Sequence, residues 1–196
     1  MPLALHLRDA LASPRISFRP LAPTDLPAMH RWLNVPHVRE TYGLGKTPSM
    51  QDVAARYGPM IGGGTGTAAF VIVLDGRDVG YVQTYRIADH PTYARGIRVD
   101  DESAGLDLFL GEPECVGHGL GPLVIDRFVR EVVFGTTAAV AVVSDPSSSN
   151  PRSVRAFEKA GFRRWRTVVP TDPGCGDLLM RRDRPLGAPT TDPASA

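Results

Sequence analysis

The sequence predicts an α/β fold on one sheet of mixed strand directions, and three observations carry that expectation. An Asp75-Gly76 pair separates two apolar runs, as in a β-hairpin. Further on, two strand-like runs are each followed by a helical period, at residues 105–134 and 138–160. Finally, 196 residues with 42% apolar side chains can bury one proper core, and the length calls for no second domain. The expected layout is a loose segment 1–14, a folded domain 15–183 and a disordered tail 184–196.

Taken in order, residues 16–20 form a first strand, and a helix over 24–34 places Leu26, Met29, His30 and Leu33 on one face. Ser49 followed by Asp52 reads as a capping box that opens a second helix through Tyr57. Gly62-Gly63-Gly64 is a connector. Strands 68–74 and 79–87 flank the Asp-Gly turn, whose residues supply the positive φ values a tight hairpin demands. Residues 89–102 are polar, show neither period, and read as a loop. In strand 105–111, Leu106, Leu108 and Leu110 face one way and Asp107 and Phe109 the other. A helix then carries Leu120, Val124, Phe128 and Val132 at four-residue spacing and closes at Gly135. Residues 138–143 form an all-apolar strand buried on both faces. Asn150 caps a helix with Pro151 at its first position and Gly161 past its end. Residues 162–169 and 178–182 close the sheet.

The 22 basic and 21 acidic residues leave a formal net charge of +1, which gives no electrostatic footprint for nucleic acid or anionic lipid. Arg8 and Asp9 interrupt the apolar N-terminus before a signal segment could form. No stretch approaches the ~18 apolar residues of a spanning helix. The chain therefore reads as soluble and cytoplasmic, as a monomer or homodimer. Cys115 and Cys175 lie far apart with no His or Cys at ligand spacing, so they imply neither a metal site nor a disulfide scaffold. Trp32 and Trp165 read as core and strand aromatics.

Chemistry concentrates in Cys115-Val116-Gly117-His118-Gly119-Leu120-Gly121, between a strand and a helix. Alternating glycines let successive N–H groups converge on one anion at the positive end of a helix, although such turns also serve simply as tight turns. The segment lacks the Lys-Ser/Thr of a P-loop and the downstream acid of a dinucleotide-binding unit. In such a turn the His118 side chain is free to face solvent while its N–H binds. Asp107 is a carboxylate in the middle of an apolar strand, either a base or a structural group tied to backbone or Arg.

These segments resemble the GCN5-related N-acetyltransferases (GNAT), whose Gly-x-Gly-x-Gly/Ala turn grips the pyrophosphate of coenzyme A. Ser149-Asn150-Pro151-Arg152-Ser153-Val154-Arg155-Ala156-Phe157-Glu158-Lys159-Ala160-Gly161-Phe162 is similar to the family helix that flanks the pantetheine arm. The resemblance implies a mostly antiparallel central sheet, helices on both faces, and acetyl-CoA in a splay between two parallel strands. It implies contacts to acetyl-CoA from Leu108, Phe109, Leu110, Cys115, Val116, Gly117, His118, Gly119, Leu120, Gly121, Asn150 and Phe157. Arg31-Trp32-Leu33-Asn34, Gly80-Tyr81-Val82-Gln83-Thr84-Tyr85, Gly105-Leu106-Asp107 and Asp145-Pro146-Ser147-Ser148-Ser149-Asn150 narrow the resemblance to aminoglycoside 6′-N-acetyltransferases. By that resemblance Asp107 is the catalytic carboxylate, Asp145 and Asp172 meet substrate amines, and Gln83 and Tyr85 line the acceptor pocket; Asp100, near the expected acceptor side, is a further candidate substrate contact. No metal is implied.

A polycationic acceptor suits this surplus of carboxylates. An amine with a pKa of roughly 8 to 10 must also lose a proton before it attacks a thioester. Departures from the family pattern are Val116 in place of Arg or Gln, a loop of residues 89–95 without Trp, and Phe157 where the family has Tyr. Rival readings are a siderophore-pathway hydroxylysine acyltransferase, a group that carries His in place of Asp107, and a protein N-terminal acetyltransferase, which needs fewer carboxylates. Phe157 also suggests a non-catalytic acetyl-CoA-binding module, against which Asp107 counts.

Overall fold

The hairpin turn takes the conformation its residues demand. Asp75 and Gly76 both adopt positive φ, 48° and 82°, and join β2 (Thr67–Leu74) to β3 (Arg77–Arg86). The computed structural model describes residues 14–42, 47–99, 102–170 and 176–186. β1 (Ile16–Pro20) pairs antiparallel with β2, from Ile16↔Leu74 to Pro20↔Phe70. β4 (Ala104–Leu110) runs parallel to β5 (Ala141–Ser144), with Ala104 opposite Val142 and Gly105 opposite Val143. β7 (Leu178–Asp183) lies antiparallel to β5 and to β6 (Arg163–Thr167). The seven strands follow the order β1-β2-β3-β4-β5-β7-β6, a mixed sheet that includes the parallel pair β4 and β5.

A 3₁₀ turn (Pro23–Asp25) leads into α1 (Leu26–Leu33), followed by a short α2 (Pro36–Arg39) that no pattern announced. α3 (Met50–Tyr57) opens on the expected capping box, since Ser49 Oγ accepts from the Asp52 N–H and Asp52 accepts from the Ser49 N–H. The glycine connector is partly ordered. A 3₁₀ stretch (Gly58–Gly63) runs into it and is kinked at Ile61 and Gly62, where Gly62 and Gly63 turn to positive φ.

Four expectations are corrected. Residues 89–102 are not all loop, because α4 (Pro91–Ile97) forms with Pro91 at its start. Tyr93, Ala94 and Ile97 sit on one face at i, i+1, i+4 and pack with Ile87, Val143 and Leu179, but two turns are too few to show as a period. The helix that begins as α5 (Leu120–Phe128) passes through a π-helical stretch (Val129–Val133) into α6 (Phe134–Thr136). That stretch inserts one residue into the spacing, so Val133 is buried where Val132 was expected. Gly135 lies inside the last turn, and the helix end is met instead by Arg184, expected in the tail. Its guanidinium donates to the carbonyls of Phe134, Thr137 and Ala139 at 2.9, 2.6 and 2.8 Å. The strand expected at 138–143 begins only at Ala141, and Val140 is exposed.

α7 (Pro151–Lys159) obeys its local signals throughout. Asn150 Oδ1 accepts from the Ser153 N–H at 3.1 Å, and Gly161 turns left-handed at φ 85°. The N–H groups of Gly161 and Phe162 return to the carbonyls of Glu158 and Phe157, while the Phe157 and Phe162 rings meet edge-on at 5.0 Å. This is a Schellman end with its hydrophobic contact.

Two compact units are distinguishable. In the first, residues 1–83 with 108–121, Phe109 is surrounded by Trp32, Tyr42 and Tyr81 at ring separations of 6.3, 4.8 and 5.5 Å. The second, residues 84–107 with 122–196, centres on Ile87, Ile97, Val143 and Leu179. Among the described residues, no helix is long and apolar enough to cross a membrane.

Candidate active site

Strand alternation sends Leu106 into the core and leaves Asp107 half-buried on the other face of β4. Asp145 follows the last residue of β5. Extending the parallel register from Gly105↔Val143 by two residues brings Asp107 level with Asp145. Two donors hold the Asp145 carboxylate: the Tyr93 hydroxyl reaches Oδ1 at 2.8 Å and the Gly176 N–H reaches Oδ2 at 3.1 Å. Gly176 is obligatory there, because a Cβ would lie 1.8 Å from the Asp145 carbonyl oxygen. Burial first, and the Asp107 charge second, push the Asp145 carboxyl up to about 7 despite these donors. The second unit thus sets two carboxylates side by side, of which one titrates near neutrality.

Tyr85 belongs to the same surroundings. Its ring lies over Gly105, where a Cβ would come within 2.3 Å of it, and it packs edge-on against His90 at 4.6 Å and Tyr93 at 6.2 Å. Gln83 is placed differently. It is buried in the first unit, where it accepts from the Tyr81 hydroxyl at 2.6 Å. Asp100 and Asp172 lie outside the described residues, as do Asp101 and Cys175.

The end of β4 is bent over Gly80. The N–H groups of Gly111 and Glu112 both turn to the Val79 carbonyl, at 2.8 and 3.3 Å, and a Cβ on Gly80 would meet the Phe109 carbonyl at 2.3 Å. Two side chains secure this bend. His37 Nε2 lies 2.8 Å from the Leu110 carbonyl, which can only accept, so that nitrogen carries the proton. Buried Glu112 accepts from Trp32 Nε1 at 2.9 Å and from Arg31 at 2.6 and 3.3 Å, and Arg31 holds its carboxyl below the usual range. Trp32 is therefore core, as its sequence context implies, with its one polar atom satisfied.

The glycine-rich turn divides in two. Cys115 is buried, its N–H is bonded to the Glu112 carbonyl, and burial pushes its thiol up to about 11. The Val116 N–H is likewise taken by the Pro113 carbonyl at 3.1 Å. From Gly117 onward the backbone opens: Gly117 and Gly119 adopt φ of 89° and 86°, nothing lies within 4 Å of a Cβ at either, and His118 is exposed. Leu120 and Gly121 open α5, where N–H groups have no partner within the helix. Backbone N–H groups gathered at the positive end of a helix are what a pyrophosphate requires. On α7, the Asn150 side chain is engaged as the cap, and Phe157 is buried with its ring against Phe162.

Sequence reasoning missed Tyr93, Gly176 and His37. Pro91 beside the acceptor-side loop is the one local signal that points toward the helix carrying Tyr93.

Comparison with known proteins adds the following. The acetyltransferase (GNAT) domain family matches residues 22–169. The aminoglycoside N(6′)-acetyltransferase type 1 of Klebsiella pneumoniae is 30% identical over 158 residues, which span 80% of this chain and 78% of that protein. Among solved structures, AAC(6′)-Ib in complex with paromomycin and acetyl-CoA matches with a TM-score of 0.75 at 30% identity, over 86% of this chain and 93% of that one. The aminoglycoside acetyltransferase AAC(6′)-Ib with coenzyme A and kanamycin matches with a TM-score of 0.74 at 28% identity, over 86% and 95%.

Proposed function

The chain belongs to the acetyltransferase (GNAT) family, and from that membership we propose that it transfers the acetyl group of acetyl-CoA to the 6′-amine of an aminoglycoside, in the cytoplasm. The observation that carries the acceptor class is the pairing of Asp107 with Asp145, which concentrates negative charge where a cationic amine must lose a proton. Asp172 is a further substrate contact by resemblance, Asp100 is a further candidate for one, and Tyr85 supplies an apolar wall beside Asp145.

The ammonium binds between the carboxylates, and Asp107 takes its proton directly or through water. The freed amine attacks the thioester carbonyl. A backbone N–H near Leu108 or Phe109 stabilises the charge that develops on that oxygen. The new C–N bond forms, the nitrogen gives up its second proton to water as the C–S bond breaks, and coenzyme A leaves as thiolate, to be protonated from water. A thiol pKa of about 8.5 makes that departure tolerable without an acid, which is consistent with Phe157. The donors of residues 117–121 hold the pyrophosphate, and Leu110, Asn150 and Phe157 contribute to the pantetheine side.

A thiol-release assay of acetyl-CoA against aminoglycosides, polyamines and peptides tests this reading. Turnover is expected with aminoglycosides that carry a 6′-amine and not with those that carry a 6′-hydroxyl. Failure with every 6′-amine compound, alongside turnover of another amine, would leave an N-acetyltransferase with a different acceptor.

A further inference from the structure

We propose that Tyr93 is a positioning residue for this reaction: its hydroxyl, with the Gly176 N–H, orients the Asp145 carboxylate beside Asp107 and favours its charged form, so that the amine meets a pair of carboxylates. The inference rests on the acceptor reading above and assigns a role to a helix that the sequence does not announce.

The geometry is specific. A hydroxyl donates and a carboxylate accepts, so the 2.8 Å contact from Tyr93 to Oδ1 favours the charged form of Asp145. Gly176 occupies the other oxygen at 3.1 Å, leaving neither oxygen without a donor. Against these stand two influences toward the neutral acid, burial and the neighbouring Asp107 charge. Asp107 faces Asp145 from β4 and Tyr93 faces it from α4. His90, at the start of α4, is turned onto the Tyr85 ring, and Asp177, ahead of β7, is bonded to Ser148. Tyr93 is itself held from behind. Its ring abuts Tyr85 at 6.2 Å, and Tyr85 lies on Gly105, the residue of β4 two before Asp107. A continuous contact path therefore runs from the strand of the base, through two rings, to the second carboxylate.

The sign of the effect follows. Tyr93→Phe removes a donor to the charged form, so Asp145 stays protonated to higher pH and attracts a cation less strongly near neutrality. Titration of the Asp145 carboxyl carbon by NMR in the free protein should show its midpoint raised by about half a unit or more in Tyr93→Phe. In steady-state assays, the KM for the amine should rise by about twofold or more at neutral pH and return toward wild type near pH 9. The KM for acetyl-CoA should not change. An unmoved NMR midpoint, or an amine KM raised equally at every pH, would overturn the proposal. The NMR arm needs no acceptor, so wild-type protein inactive on aminoglycosides would sink the acceptor reading while this test still decides the role of Tyr93.

Discussion

Asp145 is held in a form that costs the fold. Its carboxyl titrates near 7 in the folded chain against an ordinary 3.8, so the native state binds the extra proton between those values and stability falls as pH rises through that window. Asp145→Asn removes the penalty. The melting temperature of the variant minus that of wild type should increase by roughly 5 °C between pH 5 and pH 8, and a flat difference would contradict the assignment. Asp107 is the other half of the pair. Asp107→Asn should lower kcat by about 10²- to 10⁴-fold with little change in acetyl-CoA affinity, and a variant that keeps half the wild-type kcat would place the base elsewhere. Phe157 marks the departure from the family helix. Its ring is buried against Phe162, and departing thiolate needs little help. Phe157→Tyr should therefore change kcat by less than about tenfold, or ~1.4 kcal/mol of barrier. A gain of a hundredfold would identify the hydroxyl as a missing acid.

At the scale of elements, β4 depends on three close approaches, two at its end and one near its start, and their tolerance differs. A Cβ on Gly111 would lie 2.2 Å from the indole of Trp32, which is buried and tied through Nε1 to Glu112. The ring cannot step aside, so Gly111→Ala should cost about 3 kcal/mol. Gly80→Ala meets backbone at Phe109 and admits no side-chain escape either. At Gly105 the conflict is with the far end of the Tyr85 side chain, which can swing away. Gly105→Ala is thus expected to spare the fold and disturb the ring that backs Tyr93. On α7 the loss is of another kind, since Asn150→Ala removes one cap bond and should cost about 1 kcal/mol. Urea unfolding of Gly111→Ala and Asn150→Ala in parallel should rank the first well above the second, and the reverse order would overturn this account of the β4 bend.

Over the whole molecule, a net charge of +1 supplies no long-range attraction for a polycation, so acceptor binding has to rest on the local carboxylates. Raising the ionic strength screens partly exposed charges, and the KM for the amine should climb between 0.05 and 0.5 M salt, roughly following the fall in Debye length. A KM independent of salt would indicate a neutral or fully buried acceptor.

The sequence by itself determined what adjacent residues can settle among themselves. Asp75-Gly76 dictates a turn because of its allowed φ values, Ser49 and Asp52 close a box three residues wide, and Asn150, Pro151 and Gly161 delimit α7 through caps and backbone sterics. Asp107 was legible for the same reason, as one carboxylate breaking an apolar alternation. Tertiary structure decided whatever depends on partners far along the chain. Asp145 acquires its proton affinity from burial and from donors 52 and 31 residues away. α4 exists because its one apolar face finds Ile87, Val143 and Leu179, and Arg184 ends a helix some fifty residues before it because three carbonyls there need donors. Desolvation and long-range contacts leave no mark on local periodicity, so the second carboxylate could be named from the sequence while its charge state could not.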